Sequence, residues 1–309
     1  MSLDTAPVLV TGATGKQGGA VVRALVAAGI PVRALTRDAR RGEEVREDGA
    51  DLAVGDLDDA DSVARAVAGV RGVFSVQMPR MSNSGLDYDG EVRQAESLIK
   101  AARAAGVTHF VQSSISGVGQ HAKVPGYGRQ EWGEATKKFD AKKLIQDSVR
   151  TAGFERWTIV KPGTFMENFH PAAHYMFPRG LAGGLVTTLK PETRLSLTAV
   201  EDIGATVAAA MTEAEKFHEL ELELASDYRS MAEVADILSN ALETPIAAPD
   251  MTEQQATDAG MPAIGASHRW LNTYGQPARP EFARALGIPL TPFVEWSHAN
   301  LAPARRGSR

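Results

Sequence analysis

Apolar positions along the chain follow two alternating rhythms. Short, nearly continuous apolar runs are each followed by a longer Ala-rich segment with apolar residues every three to four positions. The first rhythm predicts buried strands and the second amphipathic helices. Strands are predicted at 6–11 (APVLVT), 31–37 (PVRALTR), 50–56 (ADLAVGD), 72–77 (GVFSVQ), 108–114 (THFVQSS) and 156–163 (RWTIVKPG). Helices are predicted between them at 16–29, 43–49, 59–69, 91–106 and 135–153. The helix at 59–69 carries acids in its first turn, where the helix dipole favours them. Strands alternating with helices predict an α/β fold with a Rossmann-like, doubly wound parallel sheet, because parallel neighbours need a crossover.

After Gly163 the rhythm breaks. Residues 164–184 mix aromatics, His, Pro and Gly, and a clear helical pattern returns at 202–215. From about 229 the chain is mostly helix-like, broken by prolines at 245, 249, 262, 277 and 280. The last periodic segment, 291–302, has Thr291 as a candidate cap and Pro292 in its first turn. The expected organisation is a Rossmann domain over 1–163, to which 195–228 returns. A smaller, mainly helical substrate lobe then takes most of 164–309.

Composition narrows the function classes. The chain has no cysteine, so disulfides, zinc–thiolate sites and a cysteine nucleophile are excluded. The net charge is −5, and the basic runs at 39–41 and 304–309 are short, which argues against a nucleic-acid partner. No apolar run is long enough to span a membrane, and no basic stretch precedes the first apolar run, so a cytoplasmic protein is expected.

Gly12, Gly15 and Gly18 lie three apart between the first predicted strand and the first predicted helix. That is the context of a dinucleotide-binding turn. The first glycine permits the turn, the second lets backbone N–H groups approach a pyrophosphate, and the third lets the helix pack closely. Thr14, Lys16 and Gln17 join them as candidate cofactor contacts. At the end of the second strand, where NAD sites place an acid, stand Thr36 and Arg37, followed by Arg40 and Arg41. A guanidinium grips a 2′-phosphate that a carboxylate repels, so the expected cofactor is NADP(H). Asp38 comes one residue late to serve as that acid. Asp56, with Leu57 beside it, is placed to meet an adenine edge.

Together, VTGATGKQGGAVVRAL, VRALTRD, GADLAVGDLDDADSV, HFVQSS and TIVKPGTFMENF resemble the NmrA-like branch of the atypical short-chain dehydrogenase/reductase superfamily over about residues 7–215. That family includes NADP(H)-sensing regulators, quinone and triphenylmethane-dye reductases, and the related isoflavone-type reductases. The resemblance implies a nicotinamide near Ser114, Lys142 and the turn formed by Pro162, Gly163, Thr164 and Phe165. It also implies that Gln77 and Met78 line the cofactor, with a substrate pocket between the lobes.

Other branches of the superfamily use Ser, Tyr and Lys, with the tyrosine four residues before the lysine as proton donor. Here the lysine matching the family pattern is Lys142, and Lys138 stands four residues earlier; a register on Lys143 would put Phe139 there. Neither register supplies the tyrosine. Lys142 is therefore a candidate catalytic residue or only a ribose-holding one, with Ser114 beside it. Tyr127, in the Gly-rich loop 124–134 with Trp132, is the candidate substitute acid. Lys138 and Lys143 are expected to be solvated on the helix surface. His170 and His174 are one helical turn apart, but Pro171 replaces the glutamate of a zinc-protease motif, so no metal is expected. With Trp132, Asn168 and Tyr175 they are candidate substrate contacts; an irregular surface loop is the alternative for the histidines.

Three functions are consistent with these residues. The first is an NADPH-dependent oxidoreductase acting on a quinone or other conjugated aromatic molecule. The second is a non-catalytic NADP(H) sensor binding a protein partner, which the missing tyrosine favours. The third is a tailoring enzyme on an aromatic natural product.

Overall fold

The structure is a computed structural model that describes residues 5–82, 85–127, 132–262 and 265–301. Part of the Gly-rich loop (128–131) and the C-terminal basic run lie outside the described residues. The main sheet has seven parallel strands: β1 (Val8–Val10), β2 (Val32–Thr36), β3 (Asp51–Val54), β4 (Gly72–Ser75), β7 (His109–Ser113), β8 (Arg156–Pro162) and β11 (Leu220–Leu224). Their spatial order is β3-β2-β1-β4-β7-β8-β11. The chain winds outward from β1 to β3, then returns to β4 on the other side of β1. That reversal opens a crevice beyond the carboxyl ends of β1 and β4, the usual ligand position in such sheets.

Both faces of the central strands are buried, as parallel strands require, while the edge strand β3 is partly exposed. Val8, Val10, Phe74, Val111 and Val160 face a core with helices α1 (Lys16–Ala27) and α6 (Val200–Thr212). Leu9, Val73, Phe110 and Ile159 face the opposite core with α3 (Ala60–Val67), α4 (Tyr88–Ala104) and α5 (Gly133–Thr151). The six predicted strands are present, and the seventh is LELEL at 220–224. Its leucines enter the first core, while Glu221 and Glu223 face Lys161 across the strand pair at 2.7 and 3.8 Å.

Gly163 is where the chain changes sheets. β8 pairs with β11, and the next residues, β9 (Thr164–Phe165), pair with β10 (Arg194–Thr198) in a second sheet completed by β12 (Asp227–Ser230). A Cβ at Gly163 would stand 2.1 Å from the Ser196 carbonyl oxygen, so a side chain is sterically excluded there. Its N–H donates to Leu224 O and Thr198 Oγ1, both at 3.0 Å. Helices α8 (Met231–Ala241) and α12 (Phe293–Leu301) close the core over the second sheet. The remaining described helices of the C-terminal part include α9 (Glu253–Asp258) and α10 (Gly265–Tyr274).

Thr291 does not cap the last helix. Its N–H and hydroxyl both donate to the Asp202 carboxylate at 2.8 Å, and the helix begins at Phe293, whose N–H reaches Asp227 at 3.0 Å. Tertiary carboxylates have replaced the local cap. A short antiparallel hairpin, β5 (Arg80–Ser82) and β6 (Gly85–Asp87), lies between β4 and α4, where no element was predicted. Among the described residues no helix is long and apolar enough to cross a membrane.

Candidate functional site

The glycine turn has the geometry its spacing predicts. Gly12 has φ +60°, and a Cβ there would meet Val76 at 2.8 Å. At Gly18 a Cβ would lie 2.2 Å from the Gly12 carbonyl oxygen, so this glycine lets α1 start directly on the turn. Gly15 is the N-cap of α1 and offers no side-chain cap, and no acid occupies the first turn. The first N–H groups of a twelve-residue helix are thus left for an external acceptor, at the positive end of the dipole.

These residues form one wall of a cavity of about 620 Å³ at the switch point, within the range of small-molecule sites. Gly12, Thr14, Gly15, Lys16, Gln17 and Gly18 line it from the turn. Arg37, Asp56, Leu57, Gln77, Met78 and Phe165, all expected cofactor contacts, line it from the ends of β2, β3 and β4 and from β9. Three cations (Lys16, Arg37 and Arg80) and one carboxylate (Asp56) face the cavity, in a chain whose net charge is −5. Arg37 is exposed and, among the described residues, has no hydrogen-bond or ion-pair partner. Asp38 turns away, accepting the Arg40 N–H at 2.9 Å as the cap of the following turn.

Asp56 is already engaged. Arg80 bridges it at 2.7 Å and Asp58 at 2.5 Å. Burial pushes the Asp56 carboxyl up, but the Asp58 N–H and the Arg80 guanidinium outweigh it and hold the pKa below the ordinary value. Gln94, on α4, donates to Asp58 at 3.0 Å and also lines the cavity. Arg80 and Gln94 were not foreseen, because only the folded hairpin and α4 bring them to the ends of β3 and β4.

Deeper in the fold, β7 and α5 carry a polar stripe. Ser113, not Ser114, reaches the glycine turn, donating to Gln17 Oε1 at 2.7 Å. Ser114 instead accepts from Gln146 Nε2 at 2.8 Å. Gln77 turns its amide into the protein, toward Ser75 and Gln112, and presents other atoms to the cavity. Lys142 is buried against Glu91, 2.6 Å away, and also donates to the Gln77 carbonyl at 3.3 Å. Lys143 lies on the helix surface, paired with Asp147. Lys138 does not: it is half-buried, and burial first, then the Lys142 ammonium, lowers its pKa. The expectation of a solvated Lys138 is corrected by the packing of α10 on this side of α5.

Pro162, Gly163 and Thr164 form the change of sheet, and Thr164 donates to Gln276 at 3.1 Å. The remaining expected residues stand apart from the cavity lining. Trp132 is buried among Trp270, Tyr274 and Phe139. Tyr127 packs edge-on to His121 and donates its hydroxyl to Asp140; burial and that carboxylate raise its pKa, so its proton is held more tightly than an ordinary phenol's. His170 and His174 flank a single 3-10 turn, His170 accepting the Ala172 N–H and the exposed His174 at φ 54°. Tyr175 packs on the C-terminal core, while Asn168 lies in the turn Met166–Phe169. In that turn Glu167, unremarked in the sequence, receives the Val200 N–H at 3.2 Å and the Trp296 indole at 3.1 Å, and its carbonyl accepts from Lys16 at 3.4 Å. Burial raises its pKa against those hydrogen bonds.

The chain matches the model of the NmrA-like family over residues 4–300. It is 30% identical to the NAD(P)H azoreductase of Xenophilus azovorans, over 96% of this chain and 98% of that protein. The triphenylmethane reductase of Citrobacter sp., solved with NADP(H), superposes with a TM-score of 0.77 at 20% identity, over 96% of this chain and 99% of that one. NmrA, a negative transcriptional regulator solved with NADP, gives a TM-score of 0.71 at 18% identity, over 95% of each chain. At these identities the two structures establish a shared fold.

Proposed function

The chain belongs to the NmrA-like family, and on that premise we propose that it binds NADP(H) in the switch-point cavity and reduces an azo, quinone or other conjugated aromatic acceptor. The observation that carries the nucleotide assignment is the pairing, on one cavity, of an uncapped α1 N-terminus, walled by Gly12 and Gly18, with Arg37, which has no hydrogen-bond or ion-pair partner among the described residues. Helix-end N–H groups suit a pyrophosphate, and a free guanidinium suits a 2′-phosphate. The sequence similarity to an azoreductase over 96% of this chain supports the reductase half of the reading.

NADPH, when bound, supplies a hydride. The chain's own residues bind and orient around it. Lys16 and the α1 N-terminus face the diphosphate, and Arg37 sits at the ribose phosphate end. Gln77, Met78 and Phe165 border the far end of the cavity. Lys142 acts as a positioning residue: Glu91 and the Gln77 carbonyl take two of its three N–H donors, leaving one for a ribose hydroxyl. Tyr127, committed to Asp140, is given no acid role. Hydride transfer to a conjugated acceptor then relies chiefly on positioning, and the proton that completes the reduction comes from solvent water.

A sensor function is the second reading. It is favoured by Lys142 and Tyr127 both being committed to carboxylates, which leaves the site without a side chain poised as in the tyrosine-bearing reductases. One experiment separates the two. Purified protein is mixed with NADPH and a panel of azo dyes, triphenylmethane dyes and quinones, and loss of the nicotinamide absorbance is followed. Turnover above the protein-free blank supports the reductase. Tight NADPH binding without turnover transfers the assignment to the sensor.

A further inference from the structure

Helix α5 carries Lys138 and Lys142 four residues apart, a spacing that puts both on one side of a helix. Their surroundings treat them differently. Lys142 is neutralised by Glu91 at 2.6 Å. Lys138 is half-buried, and among the described residues it has neither a hydrogen bond nor an ion pair. The charged or titratable groups around it are Lys142 on its own helix, Glu91 on α4 and His268 on α10. Glu91 carries one charge against the two lysines: its Oε1 is bonded to Lys142, and its buried Oε2 makes no hydrogen bond to Lys138. His268 supplies no charge near neutrality: burial, and then Lys138, pull its pKa down to about 4, and Thr187 lies 3.1 Å from its Nδ1. A partly desolvated ammonium beside a second ammonium, with no counter-ion of its own, is unfavourable until an anion arrives.

Lys138 is not itself in the cavity lining, but its helix borders the far end of the cavity. Lys142, one turn away, holds the Gln77 carbonyl in the cavity wall. Thr164, next to the cavity-lining Phe165, is bonded to Gln276, just beyond α10. Helices α5 and α10 therefore flank the end at which Gln77 and Phe165 stand. We infer that Lys138 is the anion receptor of the acceptor compartment, and that the aromatic acceptor carries a carboxylate, a sulfonate or an ionised phenol. This rests on the reductase reading for the identity of the compartment, and it adds a substrate class that reading does not contain.

The test is a binding measurement that needs no turnover. Protein saturated with NADP⁺ is titrated calorimetrically with an azobenzene carboxylate and with the corresponding carboxamide, which has the same shape and no charge. The wild type should bind the carboxylate about ten- to a hundredfold more tightly, the usual size of a charge-assisted contact. Lys138→Met should erase that preference, and Lys138→Arg should keep most of it. NADPH titration of each variant checks that the nucleotide site has folded. Equal affinity for both ligands in the wild type, no binding of either, or a preference that survives Lys138→Met overturns the inference. So does a loss of turnover in Lys138→Met that is equal for charged and neutral acceptors, since that marks a proton donor instead. Failure of the reductase reading looks different: the carboxylate preference persists while no acceptor oxidises NADPH.

Discussion

Replacing Arg37 with serine isolates the proposed 2′-phosphate contact. The side chain is exposed and unpartnered among the described residues, so its loss should leave stability within about 0.5 kcal/mol of wild type. Asp56, whose carboxyl Arg37 also helps to lower, keeps its direct partner in Arg80. The cost therefore falls on the ligand. A hydrogen bond to a charged group contributes about 1.5–3 kcal/mol, and exposure places this one toward the lower figure. NADPH affinity should fall roughly tenfold, and at most about a hundredfold. NADH, which has no 2′-phosphate, should bind the variant as it binds the wild type. Calorimetric titration with both nucleotides reads this directly. The wild-type preference should also shrink as salt is raised, since the Debye length shortens from about 10 Å at 0.1 M to about 3 Å at 1 M and an exposed charge pair is screened increasingly. If both nucleotides weaken together, Arg37 is structural. If neither weakens, the phosphate lies elsewhere and the reading of the β2 end is wrong.

Three further outcomes follow from the geometry. Gly18→Ala forces a Cβ onto the Gly12 carbonyl, so it should destabilise the protein by about 1–3 kcal/mol and abolish measurable NADPH binding, checked by urea unfolding and titration; normal stability with normal binding would contradict it. Lys142→Met leaves Glu91 buried without a partner and should cost about 3–5 kcal/mol, whereas Lys142→Met combined with Glu91→Leu should recover much of that loss; a double variant no better than the single one would remove the ion-pair explanation. His268 has a folded pKa of about 4 against an ordinary 6.5, so the unfolded chain binds more protons between those values and stability falls as pH drops from 6.5 toward 4, by up to roughly 3 kcal/mol for this residue; His268→Asn should therefore lose less stability than wild type between about pH 7 and about pH 5 in urea melts.

What was legible in the sequence was local. The glycine turn, the strands beside it and Arg37 are decided by neighbours within a few residues, through backbone sterics and strand periodicity. The NmrA-like resemblance rested on the same short motifs. What was not legible depends on pairs distant in the chain. Arg80 meets Asp56 across 24 positions, and Lys142 meets Glu91 across 51. Ser113 and Ser114 are adjacent, and only the strand register decides which of them reaches Gln17. Lys138 looked solvated because its own helix gives no reason for burial; α10, far along the sequence, covers that side. Thr291 and Pro292 have the form of a helix start, yet Asp202 and Asp227 supply the carboxylates that set where α12 begins.

The change of sheet at Gly163 has a mechanical side. One residue separates β8, whose neighbours are β7 and β11, from β9, which belongs to the second sheet. Its N–H is held by acceptors from both sheets, and its Cα packs so closely on Ser196 that no side chain fits there. Hinge closure needs a few residues free to absorb large φ/ψ changes, and this joint offers none. The strand acts as a splint, fixing Phe165 relative to Gly12 to within the stiffness of a sheet. The two sheets are therefore not free to open like jaws about this joint.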